Sequence, residues 1–142
     1  MGSDPLFSRS VVLDTNIVLD VFVFADEAAQ PVRSGLESGD LRWLATPAMR
    51  DELERVLAYP KIVPRLASCE LAAADVLSKF DRHSERVGVP AKAPLTCRDA
   101  DDQKFIDLAV AHRATLLSKD RAVLALKKRL ERLAVHAGPM LP

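Results

Sequence analysis

The sequence has no apolar run long enough to cross a membrane. Its longest candidate, from Val11 to Ala25, is broken by Asp14, Asn16 and Asp20. It also falls short of the roughly 20 residues that a spanning helix needs. The same charges argue against a secretory leader. Cysteine is nearly missing: Cys69 and Cys97 are the two, and they do not form a CxxC pair. Reduced thiols in a soluble, cytoplasmic protein are therefore expected, rather than a disulfide scaffold. There is no glycine-rich loop with either familiar phosphate-binding spacing, which argues against a nucleoside-triphosphate site. His83, His112 and His136 are scattered without ligand spacing, so a zinc centre lacks its donors. Net charge is missing too, with 20 acidic residues balancing 20 basic ones. That balance excludes a protein that coats nucleic acid generally, but not one that grips it locally.

What is present is an ordinary globular profile, 49% hydrophobic and 28% charged over 142 residues. This length suits one domain. We set residues 1–9 aside as a leader and read 10–142 as a single domain without repeats, low-complexity tracts or linkers.

Val11-Val12-Leu13 runs straight into Asp14-Thr15-Asn16. Continuous apolar runs mark strands covered by helices on both faces. A strand at about 11–14 is followed by a helix capped by Asn16, with Val18, Leu19, Phe22 and Val23 on its apolar face. A second helix spans about 29–38 and stops at Gly39, and a strand runs from Leu41 to Ala45. Thr46-Pro47 reads as a capping hydroxyl followed by proline at the first helical position. Met49, Leu53, Val56 and Leu57 form the stripe of that helix, which Tyr59-Pro60 ends. Further helices are expected at about 60–67 and 70–86, then a loop from Val87 to Thr96 with room for a short strand. Asp99 caps a helix over about 100–113. A strand at 114–117, a helix at 121–130 and a strand at 133–136 complete the chain. Strands alternating with helices predict an α/β fold around a mainly parallel sheet. Trp43, inside a predicted strand, reads as core rather than as a base-stacking platform.

Ligands in such folds gather beyond the carboxyl ends of the strands. Asp14 and Asp120 both fall there, and Asp102 leads the apolar stripe of a helix beside them. Each has an ordinary structural reading as well. Asp14 suits a cap or turn, the Asp99–Asp102 segment suits a helix start, and Asp120 or Ser118 suits the cap of the next helix. Glu52 borders the buried stripe of its helix, whereas Asp51 and Glu54 point toward solvent. Carboxylates packed together raise one another's pKa unless a cation neutralises them. An all-oxygen set favours Mg²⁺ or Mn²⁺. The chemistry this suggests is metal-assisted attack of water on a phosphate ester.

Four stretches in this order form a recognisable set. They are Val-Leu-Asp14-Thr-Asn-Ile, then Asp-Glu52-Leu-Glu-Arg-Val-Leu with Tyr-Pro-Lys after it, Cys-Arg-Asp99-Ala-Asp-Asp102-Gln-Lys-Phe, and Leu-Leu-Ser118-Lys-Asp120. Over roughly residues 10–140 the chain resembles the PIN-domain ribonucleases, particularly the VapC-like toxin components of bacterial toxin–antitoxin pairs. The resemblance implies a three-layer α/β/α sandwich. It puts Asp14, Glu52, Asp102 and Asp120 in the acidic metal-binding quartet, with Asp99 as an extra acid and Asn16 and Ser118 as supporting polar residues. It implies RNA cleavage with Mg²⁺ or Mn²⁺, often by a homodimer, and silencing of toxin members by a small antitoxin protein. Arg98, Lys119 and Arg121 lie beside the acids and are candidates for holding RNA phosphates. Lys127, Lys128, Arg129 and Arg132 extend the basic character of the C-terminal region.

Two other classes stay open on the sequence alone. One is a catalytically silent binding module whose acidic groove takes a basic protein segment. The other is a receiver-like or phosphatase-like domain phosphorylated on Asp14. It lacks the second nearby Asp of the common aspartate phosphatases.

Overall fold

The computed structural model describes residues 9–142. The first eight residues of the leader lie outside that range, and the ninth, Arg9, opens the first strand. Among the described residues there are five strands, β1 (Arg9–Leu13), β2 (Leu41–Ala45), β3 (Ser84–Arg86), β4 (Thr115–Leu117) and β5 (Ala137–Gly138). They form one sheet in the order β3-β2-β1-β4-β5, and every neighbouring pair is parallel. Val11 aligns with Trp43 on one side and with Thr115 on the other.

Parallel strands need crossover helices. These are α1 (Thr15–Phe22), α2 (Gln30–Ser38), α3 (Pro47–Leu57), α4 (Val63–Ser68), α5 (Ala73–His83), α6 (Gln103–His112), α7 (Arg121–Leu124) and α8 (Lys127–Glu131). From β1 the chain steps outward to β2 and β3, then returns across β1 to place β4 and β5 on the far side. Because such crossovers are right-handed, the reversal puts α1–α5 on one face of the sheet and α6–α8 on the other. The result is the three-layer α/β/α sandwich expected from the sequence. It also makes the β1/β4 junction the switch point, where connections leave in opposite directions and a crevice opens.

The core explains the strand sequences. Val11, Val12, Leu44, Leu116 and Leu117 are fully buried, as strands covered on both faces require. Trp43 is buried, stacked on Phe22 with ring centroids 6.0 Å apart and edge-on to Phe80 at 4.7 Å. It is core, as its strand context predicts. At the end of α2, Gly39 adopts φ 85°, the left-handed geometry that closes a helix and favours glycine.

Several sequence expectations need correction. The cap of α1 is Asp14, whose carboxylate accepts from the Ile17 N–H at 3.0 Å. Asn16 lies one position inside the helix and is exposed. Thr46 precedes α3 as expected, but its buried side chain makes no capping hydrogen bond. The helix expected over 70–86 stops at His83, and Ser84–Arg86 forms edge strand β3 instead. Three residues are too few to show a period of two, so the sequence pattern hid this strand. The Val87–Thr96 segment contains no strand. The helix expected over 121–130 is two pieces, α7 and α8. The last strand is Ala137–Gly138, displaced from 133–136 by a turn in which Ala134 has φ 62°.

Replacing Trp43 with Ala should cost about 3–5 kcal/mol, typical for deleting a large buried aromatic side chain. Urea denaturation should show a lower midpoint with an unchanged slope. A loss below about 1 kcal/mol would contradict this packing.

Candidate metal centre

The site follows from one register. Leu13 and Leu117 are Cα partners on β1 and β4, and the Asp14 N–H donates to the Leu117 carbonyl at 3.1 Å. Asp14 and Ser118, 104 residues apart in sequence, therefore leave the sheet side by side. The Ser118 hydroxyl donates a hydrogen bond to Asp14 Oδ2. Asp14 Oδ1 takes the Ile17 N–H. Ser118 Oγ also accepts from the Asp120 N–H at 3.0 Å, and Asp120 caps α7 by accepting from Ala122 N–H at 2.8 Å. Ser118 is fully buried, so its hydroxyl ties the first and last acids of the motif together.

The third acid comes from the start of α6. Asp99 opens a 3₁₀ turn, Ala100–Asp102, accepting from the Asp101 N–H at 3.0 Å, and α6 follows directly. The loop before it is pinned to α6. Gln103 accepts from Cys97 N–H and donates to the Leu95 carbonyl, while Asp107 accepts from Ala93 N–H and from the Gln103 amide. Sequence reasoning gave Gln103 and Asp107 no role. Their placement one helical turn apart on α6 is the signal that was available.

One carboxylate oxygen each from Asp99, Asp102 and Asp120 lies within 4.8 Å of the others. Asp102 Oδ2 is buried and, among the described residues, has no hydrogen-bond partner. Leaving such an atom unpaired is costly, and a cation would satisfy it. Burial, followed by the negative charge of Asp120, lifts the Asp102 carboxyl to about 7, with Asp99 and Asp14 adding to the effect. Burial also raises Asp14, and the Ser118 and Ile17 hydrogen bonds partly offset it. The Asp99, Asp102 and Asp120 cluster fits a small hard cation: the donors are all oxygens, and one of them, Asp102 Oδ2, is buried without a partner among the described residues.

Glu52 stands differently. It projects from α3 into a small pocket of about 160 Å³, lined by Asp14, Thr15, Asn16, Asp102, Phe105 and Asp120. Its two oxygens are already engaged: Oε2 accepts from the Thr15 hydroxyl, and Oε1 accepts from the Lys104 ammonium at 2.6 Å. Asp51 and Glu54 are exposed, in agreement with the helix register. The structure thus gathers all four acids of the quartet around one pocket, but the tight three-oxygen cluster consists of Asp99, Asp102 and Asp120. The sequence pattern gives Thr15 and Lys104 no role, although they lie next to Asp14 and two residues after Asp102.

A larger open groove of about 730 Å³ adjoins the pocket, and the two share Asn16 and Asp120. Arg98, Lys119 and Arg121, the candidate phosphate contacts, all line it together with Asp99. Lys119 is also held by the buried Asp20 carboxylate at 2.5 Å.

An acidic pocket at the β1/β4 switch point thus opens into a groove with basic walls. The sequence matches the PIN domain over residues 10–122. The chain belongs to the PIN domain family. Among solved structures it is similar to the crystal structure of VapBC2 from Rickettsia felis bound to a DNA fragment from their promoter. That likeness has 15% identity and a TM-score of 0.59, and covers 91% of this chain and 98% of the other. At such identity the likeness concerns the fold. No curated protein matches the chain. Among the described residues of this PIN domain, no helix is long and apolar enough to cross a membrane.

The raised Asp102 carboxyl sets a pH dependence. Below its ordinary pKa of 3.8 the group is neutral whether folded or unfolded, so it adds no pH dependence. Between 3.8 and about 7 the unfolded chain releases the proton while the folded chain keeps it, so metal-free stability falls as pH rises. Asp102→Asn should remove its own part of this fall and leave the part that comes from the raised Asp14. At pH 7.5 with chelator the variant should melt roughly 3–6 °C higher than wild type, and at pH 3.5 the two should coincide. Equal melting temperatures at both pH values would contradict the burial of this charge.

Proposed function

We propose that this PIN domain is a divalent-metal-dependent endoribonuclease, and that it acts as the toxin of a toxin–antitoxin pair. The observation that carries the reading is the convergence of Asp99, Asp102 and Asp120 within 4.8 Å, with one buried partnerless oxygen, beside a groove lined by three cations. Asp102 and Asp120, joined by Asp99, would hold Mg²⁺ or Mn²⁺. Asp14 and Glu52 complete the acidic wall. A divalent ion supplies an activated water at neutral pH and stabilises charge on the leaving oxygen.

The chain's own residues do the remainder. Ser118 orients Asp14 and supports the Asp120 backbone. Arg98, Lys119 and Arg121 line the groove beside the acids and would hold RNA phosphates, and Asn16 stands as a supporting polar residue where groove and pocket meet. The 730 Å³ groove is open, which suits an unpaired strand or loop whose backbone can bend toward the acids. No histidine is required as general base. The likeness of the fold to VapBC2 supports a small antitoxin partner. Cytoplasmic location and a homodimer complete the reading.

Cleavage of a mixed RNA panel in Mn²⁺ or Mg²⁺, with and without chelator, tests the proposal. Cleavage should require the ion. It should fall roughly 100-fold or more in Asp102→Asn and roughly 10–100-fold in Asp14→Asn, with circular dichroism unchanged. Arg98→Ala and Arg121→Ala should weaken RNA binding and flatten its salt dependence. Chelator-resistant cleavage would overturn the mechanism. Absence of both cleavage and metal binding would favour the silent module that accepts a basic segment.

A further inference from the structure

Five carboxylates converge at the carboxyl ends of β1 and β4, and their oxygens are unequally committed. Asp14 gives one oxygen to Ser118 and one to Ile17. Glu52 gives one to Thr15 and one to Lys104. Asp99, Asp102 and Asp120 remain as the close cluster, with Asp102 Oδ2 unpartnered.

Lys104 is not a loosely draped surface lysine. Its Nζ donates to Glu52 Oε1 at 2.6 Å and to the Asp101 carbonyl at 2.5 Å, and it sits 4.8 Å from the centroid of the Phe105 ring. Two acceptors and an aromatic face together make a seat for a cation. Its side chain is three-quarters buried, and that of Glu52 is buried further. Phe105, Glu52 and Asp102 all line the acidic pocket, and Lys104 is tied to it through its bond to Glu52.

We propose that Lys104 is a resident cation that takes the place of a second metal ion. It occupies Glu52, so the domain binds one divalent ion, held by Asp99, Asp102 and Asp120. This inference rests on the metal-dependent reading above and fixes its stoichiometry. In it Glu52 is a positioning residue that holds Lys104, rather than a ligand of the first ion. A second divalent ion drawn to Glu52 meets an ammonium already bound there, and like charges at that distance repel. Removing the ammonium leaves Glu52 part-buried with an unbalanced charge, a state that attracts a cation.

Calorimetric titration of metal-stripped full-length protein with Mn²⁺ tests this, with electron paramagnetic resonance to detect coupled ion pairs. Wild type and Lys104→Arg should bind one ion per chain with no coupled-pair signal. Lys104→Met keeps an unbranched side chain of similar length and loses the charge, and should bind two ions, the second lost again in the Lys104→Met, Glu52→Gln double variant. Glu52→Gln alone should bind one ion with affinity within about threefold of wild type. It keeps the test decisive if Lys104→Met fails to fold. Two ions on wild type, one ion on folded Lys104→Met, or a tenfold or greater loss of affinity in Glu52→Gln would each overturn the assignment of Lys104. No ion bound by wild type would instead overturn the metal reading beneath it.

Discussion

The alignment of Leu13 with Leu117 on adjacent parallel strands is the constraint on which this molecule depends. It puts the first polar residue after β1 beside the first polar residue after β4. The Ser118 hydroxyl then locks Asp14 and the Asp120 backbone into one unit. A one-residue slip would turn every side chain of a strand to the opposite face. With both faces covered, its cost is that the polar Asp14 or Ser118 would be drawn into the buried run of Val11, Val12, Leu116 and Leu117. Site geometry is thus enforced by the hydrophobic core. The reversal of strand order at the same place keeps the crevice open above the acids.

Holding carboxylates this close is unfavourable, and the fold answers the repulsion in three different ways. Asp14 is satisfied by hydrogen bonds from Ser118 and Ile17. Glu52 is balanced by a lysine and a threonine hydroxyl. Asp102 is left with burial and the negative charge of Asp120 and Asp99, which push its carboxyl up to about 7. The acids are therefore not interchangeable members of a quartet. The least compensated cluster is where a divalent ion gains most, because it relieves both the burial and the mutual repulsion.

Much of this was legible in the sequence. The apolar triplet before Asp14, the Leu41–Ala45 strand and the helix stop at Gly39 lie where local pattern places them, because burial and glycine geometry act within a few residues. The helix register separated Glu52 from Asp51 and Glu54, and Asp102 from Asp101. Edge strand β3 was hidden, since its three residues show no alternation and directly follow a good helix. Local pattern cannot choose between Asn16 and Asp14 as the cap of α1, because both are capping residues; the strand ends at Leu13, and Asp14 supplies the cap. The partnership of Glu52 with Thr15 and Lys104 was hidden for another reason. Those residues come from α3, α1 and α6, and only the packed fold reveals that they meet.

The central claim is that Asp99, Asp102 and Asp120 form the seat of a divalent cation. The most direct measurement is an anomalous difference map from a crystal of this domain grown with Mn²⁺. The account predicts a peak bonded to oxygens of these three residues, at the about 2.0–2.6 Å distances of hard cations. A map with no peak there, or one whose ion sits on Asp14 and Glu52 with Lys104 displaced, would contradict it.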